Sequence, residues 1–100
     1  MTMNVTIREG VVTEMPDGSP ADADEISWGW HAQREGSDHI GQGDDPNDAY
    51  ESLLLKLVEA GDRSDELKVR LLRVLGEEDL KVFWTEVEMT DAVVLQEKAD

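Results

Sequence analysis

The sequence predicts a small α+β fold, in which an N-terminal antiparallel β-hairpin or meander of two or three strands packs against two or three C-terminal helices. Two observations carry this prediction. In the first third of the chain, apolar and polar residues alternate with the period of two that a half-buried strand requires. From residue 46 onward, apolar residues recur every three or four positions, which is the period of an amphipathic helix.

The first predicted strand lies at the N-terminus, where alternate residues are apolar or Thr: Met3, Val5, Ile7, Val11, Thr13 and Met15. We expect this set to face the core, because the residues between them begin with the polar Asn4, Thr6 and Arg8. Residues 16–25, PDGSPADADE, then combine Pro, Gly and Ser without any apolar period. That composition predicts a mobile loop.

A second strand is predicted where Ile26, Trp28, Trp30 and Ala32 alternate with Ser, Gly, His and Gln. On this pattern both Trp side chains face the core. A turn at residues 34–38, which contains Gly36, brings residues 39–43 back as a short third strand and completes a hairpin.

A helix over residues 46–60 follows. Asp45 is the expected N-cap and Pro46 fits the first helical position. Gly61 ends an apolar stripe made of Tyr50, Leu53, Leu54, Leu57 and Val58. A second helix is predicted between a Ser64 cap and Gly76, and its apolar face consists of Leu67, Leu71, Val74 and Leu75.

The last quarter of the chain is ambiguous between helix and strand. Leu80, Phe83, Trp84 and Val87 fit a helical period, whereas the many Val, Thr and aromatic residues of 77–95 also suit strands. We favour a third helix over residues 77–89, followed by a short strand after Thr90 and a frayed tail at residues 96–100. One hundred residues support a single domain over residues 1–100.

The composition excludes several classes of protein. Without Cys the chain has no disulfides, no thiolate zinc site and no cysteine nucleophile. No apolar run reaches the ~20 residues that span a membrane, and the N-terminus has no basic start and apolar stretch of a signal peptide. We therefore expect a cytoplasmic location, in the host cytoplasm if a phage encodes the protein, and no membrane partner.

The charge is strongly negative and unevenly distributed. The net charge of −15 results from 24 acids and 9 bases. Twelve of the acids, with Arg34 as the single base, lie between Glu9 and Glu51, so this stretch alone carries −11. Such a field repels nucleic acid and attracts basic protein surfaces, which predicts a basic protein partner and no direct binding of nucleic acid.

No recognised motif for catalysis or metal binding is present. The spacing of His31 and His39 matches no zinc pattern, and a calcium loop counted from Asp17 reaches Trp28 where the template needs Glu. Neither phosphate-binding glycine motif occurs, and no Ser lies in a nucleophile elbow. The prediction is a protein that is not an enzyme and has no catalytic residues, no metal and no cofactor.

The leading hypothesis is a non-enzymatic inhibitor or regulator that docks on a basic surface of a nucleic-acid-processing protein. Its carboxylates would imitate phosphates, a DNA-mimic strategy used by phage anti-CRISPR and anti-restriction proteins. The predicted partner-binding face consists of nine acids: Asp22, Asp24, Glu25, Glu35, Asp38, Asp44, Asp45, Asp48 and Glu51.

Two alternatives stay open. The surplus of acids could instead be an adaptation to a high-salt cytoplasm, with the chain acting as a generic phage or bacterial accessory protein. The chain could also form a homodimer or dock through its second helix, which carries Lys68, Arg70 and Arg73 beside its apolar stripe. Leu55 and Leu72 lie off the main stripes of their helices and are candidate exposed anchors.

Overall fold

A computed structural model describes residues 3–15 and 19–99, with side chains up to residue 94. Within these ranges, a three-stranded antiparallel sheet of order β1-β2-β3 precedes three helices, which confirms the predicted α+β class. The strands are β1 (Val5–Val12), β2 (Ser27–Arg34) and β3 (Ile40–Gly43). The helices are α1 (Pro46–Glu59), α2 (Asp65–Leu75) and α3 (Glu77–Ala99).

The chain divides into two compact units, one ending at Lys68 and the other beginning at Val69. The first unit contains the sheet, α1 and the first turn of α2, and the second contains the rest of α2 and α3. The single domain expected over residues 1–100 stays a prediction. None of the described helices is both long enough and apolar enough to cross a membrane.

The sheet is built from two antiparallel pairings. β1 pairs with β2 along its whole length, from Val5 opposite Arg34 to Val12 opposite Ser27. β2 pairs with β3 after a turn at residues 35–36, where Gly36 adopts the left-handed conformation at φ 80°. The predicted hairpin at residues 34–38 therefore forms, with its second strand beginning at Ile40.

α1 lies against one face of the sheet at very short distance. Ala32, Ala49 and Leu53 are fully buried where helix and sheet meet. A Cβ atom at Gly41 would overlap the Ala49 carbonyl and the Leu53 amide, and one at Gly43 would lie 2.6 Å from the Ala49 amide. The two glycines that weaken β3 as a strand thus allow α1 to approach its backbone.

α1 also covers the outer edge of β3. The Gln42 amide donates to the Ser52 hydroxyl (3.3 Å), and Lys56 Nζ donates to the Ile40 carbonyl (2.6 Å). Both backbone groups belong to the side of β3 that has no strand neighbour. Side chains of the helix therefore satisfy an edge that would otherwise be open to another strand.

Two expectations about the sheet are wrong in part. Of the residues expected to face the core at the N-terminus, Met3 is buried, but Ile7 and Val11 are 42% and 43% exposed, whereas Val12, of the opposite parity, is buried. Trp28 is 67% exposed and Trp30 is half-buried, although both were expected in the core. The reason is that α1 covers the sheet around Ala32, Gly41 and Gly43 and leaves the face around Trp28 uncovered.

The helices follow their local signals more closely. α1 begins at Pro46 with Asp45 as its N-cap, and the Leu67 amide donates to the Ser64 hydroxyl at the start of α2 (3.3 Å). The strand expected after Thr90 is wrong, because α3 continues to Ala99. The chain has no Gly or Pro between Glu77 and Ala99 to end the helix. The predicted frayed tail is untested: the backbone of 96–99 is helical, and Asp100 lies outside the described residues.

Candidate partner-binding site: an acidic cleft

A cleft of about 610 Å³ opens in the first unit. Its walls are the N-terminal half of α1, the end of β3, and residues that follow β1 and precede β2. The lining residues are Val12, Glu14, Met15, Glu25, Ser27, Gln42, Gly43, Asp44, Asp48, Glu51, Ser52 and Leu55.

One wall is held in place by Gln42. Its Oε1 accepts hydrogen bonds from the backbone amides of Thr13 (2.7 Å) and Glu14 (3.2 Å). The same segment is braced by an isolated bridge between Glu14 and Pro20 and by the Ala21 amide, which donates to the Thr13 carbonyl (2.9 Å). We call the described residues 13–15 and 19–21 the arm.

Lys56 joins the arm to α1. Its Nζ contacts both carboxylate oxygens of Glu14, at 2.9 and 2.7 Å, in addition to the Ile40 carbonyl. The side chains of Lys56 and Glu14 are 24% and 28% exposed, so water screens this ion pair less than a fully exposed one. The pair neutralises Glu14 within the cleft.

The start of α1 supplies the acids of the opposite wall. Asp45 Oδ1 accepts a hydrogen bond from the Asp48 amide (2.8 Å), which fixes the first turn of the helix. Asp48 and Glu51 are three residues apart and therefore lie on the same side of α1. Together with Asp44, they face the cleft.

The cleft carries a concentrated negative charge. Glu25, Asp44, Asp48 and Glu51 have no ion-pair partner among the described residues, and the lining includes no Lys, Arg or His. Val12, Met15 and Leu55 contribute apolar surface to the same cleft. A cationic group on an apolar stem, such as a Lys or Arg side chain, matches both properties.

The nine predicted site residues fall into separate groups. Four of them line the cleft, namely Glu25, Asp44, Asp48 and Glu51, and Asp45 caps the adjacent helix. Asp22 and Asp24 join Glu25 in an exposed turn. Glu35 and Asp38 follow the far end of β2, where Glu35 accepts a hydrogen bond from Asn4 Nδ2 (3.1 Å). Their role as a partner-binding face stays a prediction.

Four polar residues of the cleft were missed in the sequence: Glu14, Ser27, Gln42 and Ser52. Glu14 and Gln42 are 28 positions apart, and only the arm brings them together. A signal for Ser52 was present, since Asp48, Glu51, Ser52 and Leu55 follow helical spacing. Leu55 stood out as an apolar residue off the main stripe, and it belongs to this second face of α1.

The possibilities for metal binding and catalysis are limited. Among the side chains described, residues 3–15 and 19–94, three or more carboxylates or imidazoles come together only at Asp22, Asp24 and Glu25, whose ligand atoms lie within 4.8 Å of one another. All three are exposed, as acids without a metal commonly are. Asp17, where the calcium template began, lies outside the described residues. Ser27 and Ser52 line the cleft without an imidazole base beside them.

A second charged cluster joins the turn between α1 and α2 to β2. Arg34 donates to Asp62 Oδ2 (3.0 Å), and the Ser64 amide donates to Asp62 Oδ1 (2.9 Å). Partial burial by itself would raise the pKa of Asp62, but the hydrogen bonds from Ser64 and Arg34 and the charge of Arg34 outweigh it. The pKa of Asp62 is therefore below its ordinary value of 3.8.

Comparison of the chain with protein-family models, with curated proteins and with solved structures finds no match in any of the three.

Proposed function

We propose that this chain is a non-enzymatic acidic binding protein that docks on a basic surface of a nucleic-acid-processing protein and inhibits or regulates it. The observation that carries the proposal is the cleft, whose lining combines four carboxylates without ion-pair partners with the apolar side chains of Val12, Met15 and Leu55. This combination of charge and apolar surface fits Lys or Arg side chains projecting from the partner.

Binding at the cleft would use both parts of such a side chain. The aliphatic stem would lie against Val12, Met15 and Leu55. The charged head would reach the carboxylates of Asp48 and Glu51, which are adjacent on one side of α1. An Arg head forms paired hydrogen bonds with a carboxylate, so a surface rich in Arg is the favoured partner.

The density of charge supports a partner that normally binds nucleic acid. Duplex DNA carries one charge per ~1.7 Å of its axis, so a protein that binds it presents closely spaced cations. The exposed turn of Asp22, Asp24 and Glu25 continues the row of carboxylates beyond the cleft. A basic nucleic-acid groove is complementary to such a row, and occupying it would block the natural ligand.

The test compares two variants of equal charge. The cleft variant carries Glu25→Gln, Asp44→Asn, Asp48→Asn and Glu51→Gln, and it spares Asp45 because that residue caps α1. The control variant neutralises four exposed acids elsewhere, Glu59, Glu78, Glu86 and Glu88, each to Gln. Tagged proteins are used to capture partners from lysates of candidate hosts at low and at high salt.

The expected result is capture of a nucleic-acid-binding protein by the wild type and the control variant at low salt. Capture should fall at high salt, because salt screens exposed charges, and it should fall for the cleft variant at any salt. Addition of the purified chain should also inhibit the captured protein. Equal loss of binding in both variants would assign the effect to bulk charge and contradict a role for the cleft.

A further inference from the structure

The two edges of the sheet differ in how they are covered. Ser52 and Lys56 hydrogen-bond two backbone groups on the outer edge of β3, the Gln42 amide and the Ile40 carbonyl, respectively. β1 forms the other edge and pairs only with β2 among the described strands. Within β1, residues 6–9 are all exposed. One edge is therefore closed by α1, and the other is accessible to a further strand.

The hydrogen bonds determine which groups of β1 point outward. The Glu35 amide donates to the Asn4 carbonyl (2.8 Å), and the pairing register continues in phase through β1. Even-numbered residues of β1 therefore direct their backbone groups toward β2, and odd-numbered ones direct them outward. Among the outward groups, the Val11 carbonyl accepts a hydrogen bond from His31 Nε2 (2.6 Å).

Because His31 occupies the Val11 carbonyl, the part of the edge that remains open is short and well defined. It runs from Val5 to Glu9, and its midpoint is Ile7, which is 42% exposed. This segment also lacks net charge, since Arg8 balances Glu9 in a chain whose total is −15. It is thus a strip without net charge, centred on the apolar Ile7, at which two acidic molecules can approach each other.

We propose that two copies of the chain associate through this open edge, with β1 of one copy antiparallel to β1 of the other, to form a continuous six-stranded sheet. The inference does not depend on the proposed function. A two-fold symmetric contact of this kind is self-complementary, because each residue meets the same set of partners in both copies.

The extent of the open segment and its charges select one register. The two-fold axis can pass through any residue from Val5 to Glu9, but only an axis at Ile7 pairs all three outward residues, Val5, Ile7 and Glu9, within the open segment. An axis at Arg8 or at Glu9 sets two like charges directly opposite each other, which is unfavourable. With the axis at Ile7, the two Ile7 side chains face each other, Arg8 faces Thr6 and Glu9 faces Val5. The Ile7 register also pairs only the segment that His31 leaves open.

The absence of Cys allows a direct test by cross-linking. Facing residues of an antiparallel pair have Cα atoms about 5.5 Å apart in hydrogen-bonded pairs and about 4.5 Å apart in the others, both within the range that a disulfide spans. A single Cys at each of the residues 5–9 reports one register. Val11→Cys is the matched control, since Val11 is 43% exposed and does not face itself in any of the five. Circular dichroism checks that each variant is folded.

We expect Ile7→Cys to form covalent dimers at least about tenfold faster than Val11→Cys under mild oxidation, because pairing raises the effective concentration of its thiol. The wild type should sediment as a dimer at high micromolar concentration, more completely as salt rises, because salt screens the repulsion between acidic copies. Ile7→Lys should shift it to a monomer.

Three results would overturn the proposal: a wild type that stays monomeric in molar salt, cross-linking of Ile7→Cys no faster than that of the control, or fastest cross-linking at Val5, Thr6, Arg8 or Glu9. If the wild type is a monomer and Ile7→Lys abolishes its capture of the basic partner, the open edge instead pairs with a strand of that partner. Capture of a basic partner weakens with salt whereas this association strengthens, so failure of one proposal is distinguishable from failure of the other.

Discussion

Replacement of Gly41 by Ala tests whether the close approach of α1 to β3 is required for stability. The added methyl group would overlap the Ala49 carbonyl and the Leu53 amide and would lie 2.7 Å from the Leu53 Cα. All three contacts are backbone atoms, so no side-chain rotation relieves them. Overpacking costs about 1–3 kcal/mol, and rigid neighbours favour the upper end. Ala is more favourable than Gly in an extended strand by roughly 0.5 kcal/mol, which offsets part of this cost.

The net cost is therefore about 2.5 kcal/mol, which lowers the melting temperature of a domain this size by roughly 10–20 °C. Thermal and urea unfolding, followed by circular dichroism, measure it. Gly10→Ala is the comparison, since its Cβ would meet only the His31 ring, at 3.0 Å, and this side chain can move at a cost of about 1 kcal/mol. If the free energy of unfolding of Gly41→Ala lies within about 0.5 kcal/mol of that of the wild type, the change is too small for a backbone clash, and close contact at Gly41 does not limit stability.

Three further predictions concern single side chains. Asp62→Asn removes a carboxyl group whose pKa is lowered in the folded protein. The substitution should therefore destabilise the protein at pH values above 3.8, and the destabilisation should disappear as the pH falls through the folded pKa. Urea unfolding of the variant and the wild type across this pH range measures the difference, and a difference that persists in strong acid contradicts the prediction. Lys56→Met should cost about 1–2 kcal/mol in urea unfolding, because the Glu14 and Ile40 contacts are lost together. Glu14→Gln keeps the Ile40 bond and should cost less; an equal cost would argue against the edge contact. Asp45→Ala should cost about 1 kcal/mol by thermal unfolding, as N-cap losses do, and Asp44→Ala, which removes no cap, should cost clearly less.

Elements that are determined by residues close together in the sequence were predictable. α1 has a capping Asp45, Pro46 in its first turn, a regular apolar stripe and Gly61 beyond its end, and its observed range of 46–59 differs from the predicted one by a single residue. α3 is the instructive exception. Its Val and Thr residues suggested a strand after Thr90, but such propensities are weak, and a strand also needs a neighbour to pair with.

The orientation of the strands could not be predicted in the same way. The alternation of apolar and polar residues indicates which residues share a face of the sheet, but it does not indicate how much of that face a helix covers. Ala32 and Trp28 share a parity, yet Ala32 is fully buried and Trp28 is 67% exposed. Burial of a strand residue therefore depends on the position of α1, which the sequence pattern does not contain.

The candidate site was predictable in part for a similar reason. The acids at the start of α1 are close in sequence, so Asp48 and Glu51 could be assigned to one surface in advance. Glu14 could not, because its place in the cleft depends on Gln42 and Lys56, which are distant in the chain. Asp45 was predicted from the sequence as the cap of α1 and was also counted in the partner-binding face, although its carboxylate accepts the Asp48 amide.

The short link between β3 and α1 has a consequence for the order of folding. Only Asp44 and Asp45 separate the two elements, so the contact between Gly41 and Leu53 closes a small loop. Residues 13–26 separate β1 from β2, so that hairpin closes a longer loop and loses more chain entropy. We expect β3 and α1 to associate first, in the transition state, and the arm to dock late. Mutations at Gly41 should then slow refolding, whereas loss of the Glu14 contact should mainly accelerate unfolding.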